Sequence, residues 1–126
     1  MALTVQFNPQ PFGNVTVASP GTPVALATNL PNLSPVVAQL TDIIPCNKIN
    51  INASPITQGG NGNTGSVYIG IKGMVRSTLA GVIFVLSKGQ SVSLTTNVNM
   101  NIYQFNQWYV DADNAGDGVY GSFDTV

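Results

Sequence analysis

The sequence QWYVDADNAGDGVYGSFDT, residues 107–125, gives the clearest indication of the fold. An apolar segment is followed by a turn rich in Asp, Asn and Gly, and then by a second β-type segment. Asp, Asn and Gly favour turns because they bond the local backbone or tolerate positive φ. The stretch predicts the closing hairpin of a small all-β domain, with Trp108 and Val119 in the core.

Similar β-type segments recur through the rest of the chain. In residues 48–53, Ile49 and Ile51 alternate with two asparagines, so one face of the segment is apolar and the other is polar. Gly, Pro and Asn separate such segments at short intervals, which predicts a β-sandwich or a barrel. The other predicted inward positions are Leu3, Val5, Phe7, Val15, Val17, Val24, Leu26, Val67, Ile69, Ile71, Val92, Leu94 and Val110.

Residues 81–86, GVIFVL, depart from this alternation because both faces are apolar. One face carries Val82, Phe84 and Leu86, and the other carries Ile83 and Val85. Both faces have to be covered in the folded protein. Two interpretations are open, namely a central strand beneath a loop and a strand at a subunit interface.

Residues 33–45, LSPVVAQLTDIIP, break the β pattern. Ser34 can cap a helix, Pro35 suits a first helical position, and apolar residues follow at helical spacing. This predicts a short helix near residues 35–43; an irregular or strand-like excursion is the alternative, because Val and Ile are poor helix formers. Residues 29–45 are thus a candidate contact loop, with apolar residues Val36, Val37 and Leu40.

Composition limits the function classes that the chain can serve. Its 126 residues suit one domain, 1–126, in which residues 1–12, with Phe7 and Phe12, are a candidate N-terminal contact arm. Only 7% of residues are charged, against roughly 25% in average domains. The four basic residues are scattered, so we predict neither nucleic acid nor a membrane as partner. Weak charge also makes packing against identical copies inexpensive.

The side chains needed for common catalytic sites are scarce. Histidine is absent and Cys46 is the single cysteine. This excludes His-based catalysis, Cys-His nucleophiles and Cys/His zinc sites. We therefore predict no enzymatic activity and no cofactor, and we expect Cys46 to be a small buried hydrophobic residue.

The acidic turn superficially imitates a calcium-binding loop through Asp111, Asp113 and Asp117. An EF-hand loop needs an oxygen-bearing side chain where Ala115 stands and a bidentate Glu where Ser122 stands. Asp, Asn and Gly are also ordinary turn residues. A structural turn is therefore the favoured interpretation, and a weak calcium site is the alternative.

Two other segments raise alternatives. Residues 59–65, GGNGNTG, lack the pattern of a phosphate-binding loop, and their Gly and Asn content predicts a mobile hairpin tip. The aromatic residues suggest a sugar-stacking platform, although Trp108 occupies an inward position. These residues are Tyr68, Tyr103, Trp108, Tyr109 and Tyr120.

Several motifs in order resemble small virion proteins of tailed bacteriophages. They are IPCNKINI, an A-x-P, NTGSVYIG, FVLSKGQSVSL and WYVDADNAGDGVYGSF, within residues 15–123. The family consists of jelly-roll-like decoration or cement proteins that coat the capsid. Residues 29–44 form a longer segment than the family pattern has.

The resemblance implies a single-domain antiparallel β-sandwich of eight or nine strands, jelly-roll-like, without a cofactor. It implies a homotrimer that binds the major capsid protein on the exterior of the assembled shell, after synthesis in the bacterial cytoplasm. We expect contacts through Phe7, Phe12, Val36, Val37, Leu40, Ile83 and Val85. The alternatives are a tail, neck or fibre component of the virion, and a carbohydrate-binding β-sandwich.

Overall fold

The computed structural model describes residues 9–29, 45–54, 62–95 and 103–125. Within these ranges lie nine strands: β1 (Pro9–Thr16), β2 (Val24–Ala25), β3 (Pro45–Asn52), β4 (Val67–Val75), β5 (Ala80–Leu86), β6 (Ser91–Thr95), β7 (Tyr103–Gln104), β8 (Trp108–Ala112) and β9 (Gly118–Thr125). Two short 3-10 turns, Leu26–Asn29 and Phe105–Gln107, are the helical elements of these ranges. Neither turn is long or apolar enough to span a membrane. The helix predicted near residues 35–43 lies outside the described residues.

The strands form two antiparallel sheets. Sheet A has the order β1-β9-β3-β6, with β7 paired to one end of β3, and sheet B has the order β2-β8-β4-β5. The pairs are nested, since β1 pairs with β9, β2 with β8, β3 with β6 and β4 with β5. This is the strand order of a jelly roll, a double sheet built from two Greek keys. The predicted all-β antiparallel sandwich is confirmed.

The core lies between the inner faces of the two sheets, as the alternation predicts. Sheet A contributes Val15, Ile49, Ile51 and Val119, and sheet B contributes Val67, Ile69, Trp108 and Val110; all of these side chains are buried. Cys46 is buried in the same cluster as a free thiol, which confirms its assignment as a small hydrophobic core residue. Trp108 is also confirmed as a core residue.

Three phenylalanines form an aromatic stack in the core. Phe105 stacks on Phe123 with ring centroids 4.1 Å apart, and Phe12 packs on Phe105 at 5.4 Å. All three rings are fully buried. The prediction that Phe12 is a partner contact is therefore wrong, because its ring fills the sandwich interior.

The sequence predicts that the Asp-rich turn closes a hairpin, and this prediction is wrong. β8 pairs with β2 and β4 in sheet B, whereas β9 pairs with β1 and β3 in sheet A. Residues 113–117 therefore cross from one sheet to the other. Backbone bonds with Val17 fix this crossing, since Val17 donates to the Asp117 carbonyl at 2.8 Å and accepts from Gly116 at 2.9 Å. Trp108 and Val119 still reach the core, each from a different sheet.

Most residues of the β4–β5 hairpin beyond Gly70 lie outside the core. In residues 71–81 only Met74 is buried and only Arg76 is half-buried; every other residue is exposed. Ile71, which the alternation placed in the core, is instead about half exposed. The ladder between β4 and β5 shifts register beyond Gly70, and Gly73 has a φ of +84°, so the alternation of the inner strand does not continue into this hairpin.

Candidate interaction surface

Asp117 organises the turn between the sheets from a buried position. Its carboxylate accepts backbone hydrogen bonds from Thr64 and Gly65, the shorter at 2.8 Å, and another from the Thr64 hydroxyl. Its side chain is almost fully buried. Charge-assisted bonds of this kind fix a loop because they satisfy both the carboxylate and the backbone donors. The prediction of a mobile tip is therefore wrong for Thr64 and Gly65.

Asn63 anchors the same segment from its other side. Its Nδ2 donates to the carbonyls of Ala53 and Gly118 at 2.7 and 2.8 Å, and its Oδ1 accepts from the Gly118 N–H at 2.8 Å. The side chain is fully buried, and these three bonds occupy both of its polar atoms. A buried amide paired in this way has a structural role. Residues 59–61, the rest of the predicted tip, lie outside the described residues.

Asp111 and Asp113 are occupied by different partners. Asp111 is fully buried and its Oδ1 accepts from the backbone N–H groups of Gly21 and Ala112, at 3.0 and 2.8 Å. Asp113 Oδ1 accepts from Arg76 Nη1 at 2.7 Å and from the Tyr68 hydroxyl at 2.9 Å. The Arg76 hydrogen bond with Asp113 raises the pKa of the guanidinium above its ordinary value.

Arg76 also provides the countercharge of Asp111. Its Nε lies 3.8 Å from Asp111 Oδ2 without a hydrogen bond, so the contact is ionic. The guanidinium also sits 6.0 Å from the ring centroid of Tyr68. Because Arg76 belongs to the turn after β4, this cluster ties the turn of the β4–β5 hairpin to the end of β8.

The acidic residues of the turn do not converge on one point. Asp117 faces the loop that contains Thr64, whereas Asp111 and Asp113 face Arg76. Among the described residues, no three acidic, Cys or His side chains form a group that could hold a metal ion. The calcium candidates are thus bound by donors of the protein itself, and the observed chemistry of the turn is structural.

Among the described residues, the exposed large apolar side chains lie on the β4–β5 hairpin. We call Ile71, Val75 and Leu79 the hairpin tip, and Ile83 and Val85 the β5 face. Each of these side chains is about half exposed, with Leu79 highest at 54%. Covering a half-exposed aliphatic side chain contributes about 1 kcal/mol, so the whole surface represents on the order of 5 kcal/mol of unused burial.

The β5 face decides between the two interpretations of residues 81–86. β5 is an edge strand, paired with β4 alone within the described part of the chain. Leu86 is buried, but Ile83 and Val85 are each 48% exposed. The interpretation as a central strand beneath a loop is therefore wrong. The predicted contact residues Ile83 and Val85 are accessible, and their role as contacts stays a prediction.

Leu79 has an unusual backbone conformation. Its φ is +63°, and it is the single non-glycine residue with positive φ in the described ranges. A left-handed conformation costs a branched residue roughly 1–2 kcal/mol, and Gly or Asn normally occupies such positions. The turn thus holds an exposed leucine where a polar turn residue would be more stable. The side chain gains little burial in return for this cost.

The outer face of sheet A is polar by comparison. Ser93 Oγ donates to Asn50 Oδ1 at 2.6 Å, and Asn50 Nδ2 lies 3.5 Å from Ser122 Oγ. On the same strand, Asn52 Nδ2 donates to the Tyr120 carbonyl at 3.4 Å. These bonds link β6, β3 and β9 across the sheet. Within the described part of the chain, the outer face of sheet A is therefore polar, whereas the β4–β5 hairpin carries exposed apolar side chains.

The remaining predicted contacts divide into two groups. Phe7, Val36, Val37 and Leu40 lie outside the described residues. Ile83 and Val85 lie on the apolar surface that the structure reveals, whereas Ile71, Val75 and Leu79 were not predicted as contacts. The sequence did contain a signal for these exposed residues. It is the turn VRSTLAG, residues 75–81, which carries Val75 and Leu79 where polar turn-forming residues are usual.

Comparisons of this chain with family models, curated proteins and solved structures found no match.

Proposed function

We propose that this chain is a non-enzymatic structural protein of a virion, a cement or decoration protein that binds the assembled capsid shell and stabilises it. In this role the hairpin tip is inserted against the shell and the polar face of sheet A remains in contact with water. Binding the assembled shell in preference to free subunits stabilises the shell by mass action, without any chemical reaction.

The resemblance of the motifs supports this proposal, and the fold is compatible with it. Jelly rolls are common in viral capsid proteins, although lectins share this architecture and a fold alone does not specify function. The motifs NTG and DGV meet in space, since Asn63 and Asp117 join the two segments. They thus account for the shape of the domain, and the docking surface has to be sought elsewhere.

Leu79 is the observation that carries the proposal. An exposed leucine in a left-handed conformation lowers the stability of the free protein, so its presence is best explained by a contact made outside the monomer. Val75 and Ile71 are also exposed on the same hairpin. A low-charge apolar surface suits a large neutral surface better than a small polar ligand.

Co-sedimentation with shells of the virus that encodes this chain tests the proposal. We expect the wild type to pellet with the shells and a Val75→Ser/Leu79→Ser variant to bind at least about tenfold more weakly, because about 2 kcal/mol of apolar burial is lost. Thr95→Ala, an exposed change on β6 of the other sheet, should bind like the wild type. A wild type that does not pellet, or a tip variant that binds normally, would contradict the proposal.

The carbohydrate-binding alternative is weakened by the positions of its candidate residues. Trp108 is buried in the core, and the Tyr68 hydroxyl donates a hydrogen bond to Asp113. A glycan array with and without calcium separates the two functions. Glycan binding that a chelator removes would favour the carbohydrate-binding protein over the cement protein.

A further inference from the structure

We propose that residues 72–81, at the end of the β4–β5 hairpin, form a hinged segment that opens and closes as a unit while the two sheets stay intact. Gly70 and Gly81 are the hinge, and Arg76 is the latch that holds the closed position seen in the structure. This equilibrium belongs to the free protein and does not depend on the proposed function.

The strand register connects the hinged segment to itself rather than to the rest of the sandwich. The pairing between β4 and β8 ends at Ile71 and Trp108. Between β4 and β5, Val75–Ala80 is the one register pair within residues 71–81, and both of its members belong to the hinged segment. The register of these described strands therefore gives the segment no partner strand outside itself.

Two glycines face each other at the base of the hinged segment. A Cβ atom on Gly70 would lie 2.2 Å from the Gly81 carbonyl oxygen, and Gly81 has a φ of +73°. The Val82 N–H donates to the Leu79 carbonyl at 3.2 Å, in the turn that adjoins this pair. Hinges consist of a few residues, often small, that absorb changes of backbone angle, and glycine does so at little steric cost. The backbone can therefore change direction here while residues 67–69 keep their strand partners.

Met74 is the one buried residue of the hinged segment. A Cβ atom on Gly70 would lie 2.7 Å from the Met74 sulfur, so this side chain packs on the hinge itself. Met74 does not belong to the core cluster between the sheets. Regions with few buried apolar contacts open at a lower free-energy cost than the whole domain. Opening of the segment thus exposes Met74 and leaves the core covered.

Arg76 joins the hinged segment to the end of β8 through an incompletely paired contact. Its Nη1 donates to Asp113 Oδ1 at 2.7 Å. Its Nε lies 3.8 Å from Oδ2 of the fully buried Asp111, and neither of these two buried atoms has a hydrogen-bond partner. A bidentate pair would satisfy both atoms and hold the guanidinium more firmly. The observed contact therefore favours the closed position and still permits opening.

Opening changes how the hairpin tip is presented. Val75 and Leu79 belong to the hinged segment, whereas Ile71 lies before it, so the two exposed side chains of the segment move together. A partner that binds the closed position more tightly shifts the equilibrium toward it by its difference in affinity for the two positions. The hinge and latch therefore determine in which position these side chains meet a partner.

Two sulfur atoms allow the hinged segment and the core to be followed separately. Met74 reports on the segment, and Cys46, a buried free thiol, reports on the whole domain. Hydrogen peroxide transfers one oxygen atom to the Met74 thioether and is reduced to water, and iodoacetamide alkylates the Cys46 thiolate with release of iodide. Peptide mass spectrometry, with the urea-unfolded chain as reference, measures the protection of each residue. We expect Met74 to be protected at least about tenfold less than Cys46.

Gly118→Ala separates local opening from global unfolding. Overpacking against β1 destabilises the folded domain whether the segment is open or closed. Cys46 should therefore lose at least about tenfold of its protection, and that of Met74 should change by less than about twofold. If Met74 is protected as strongly as Cys46, or loses protection with it in Gly118→Ala, the segment opens only with the whole domain and the proposal is overturned.

Arg76→Gln tests the latch in the same assay. It should lower the protection of Met74 at least about tenfold, because Asp111 is left buried without its countercharge in the closed position. Asp113→Asn removes only the exposed partner of Arg76 and should lower this protection about threefold, which keeps the test decisive if Arg76→Gln fails to fold. Lys72→Gln, at an exposed position of the same segment, should leave it unchanged. Wild-type protection of Met74 in both latch variants would contradict the proposal.

Discussion

Gly118, the first residue of β9, is a position at which close contact between two strands leaves no room for a side chain. A Cβ atom at this position would lie 2.0 Å from the Val15 carbonyl oxygen and 2.8 Å from the Thr16 Cα. Both are backbone atoms of the paired strand β1, so neither can move aside cheaply. The glycine is required for close approach of two strands, which is a different reason from the turn chemistry that the sequence suggested.

We predict that Gly118→Ala lowers the free energy of unfolding by about 3 kcal/mol, the upper range for overpacking. Gly116→Ala is the matched control in the same turn. Nothing lies within 4 Å of its added Cβ, but its φ is +89°, so we expect a loss of about 1 kcal/mol. Urea unfolding of both variants measures the difference. Equal losses would show that the β1 contact is not the constraint.

Cys46 provides a second prediction at this scale. Burial, with the nearby Asp124 carboxylate, raises the pKa of its thiol from 9.0 to about 12. Between these pH values the thiol ionises in the unfolded chain but not in the folded one, so stability falls as pH rises. We expect unfolding experiments from about pH 8 to 10 to show a steeper decline for the wild type than for Cys46→Ala, by at most about 1.4 kcal/mol per pH unit. Parallel pH profiles would contradict this.

The β4–β5 hairpin is the element whose position depends most on a single side chain. Arg76 reaches from the turn of the hairpin to Asp113 and Asp111, and it is the ionic partner of the fully buried Asp111. Removing one member of such a pair leaves the other charge buried without compensation. The hairpin is therefore attached to β8 by an ion-pair cluster as well as by the strand ladder.

We predict that Arg76→Gln accelerates amide hydrogen exchange in residues 71–82 relative to the core strands. Lys72→Gln, on the exposed part of the same hairpin, should leave the exchange pattern unchanged. Adding Asp111→Asn to Arg76→Gln should restore part of the protection, because the uncompensated charge is then removed. Unchanged exchange in Arg76→Gln would show that the strand ladder alone holds the hairpin.

Element types were largely predictable from the sequence, and element partners were not. Alternation of apolar residues identified the inward faces of β3 and β8, because side-chain direction in a strand depends only on its local period. The connection through Asp113 and Asp117 was mistaken for a hairpin, because turn residues do not reveal whether the next strand joins the same sheet. Ile71 was misplaced because the register shift after Gly70 leaves no local signature.

For the whole molecule, composition predicts a protein that acts through contacts, but it does not predict which residues are exposed. Few charges and no histidine indicated a protein that acts through contacts. The exposure of Val75 and Leu79 depends on the path of the hairpin after the register shift at Gly70, and this is a property of the tertiary structure. The Asp-rich turn, in contrast, is structural because its carboxylates are consumed by backbone donors and Arg76.

The central claim is that the hairpin tip is maintained for binding at the expense of stability, and Leu79→Asn tests it most directly. Asn tolerates the left-handed conformation, so we predict that the free energy of unfolding rises by about 0.5–1 kcal/mol. Binding to the shell should weaken about fivefold, because roughly 1 kcal/mol of apolar burial is lost. Ser77→Asn, in the same exposed turn, should change neither quantity. A Leu79→Asn protein that is more stable and still binds the shell like the wild type would contradict the account.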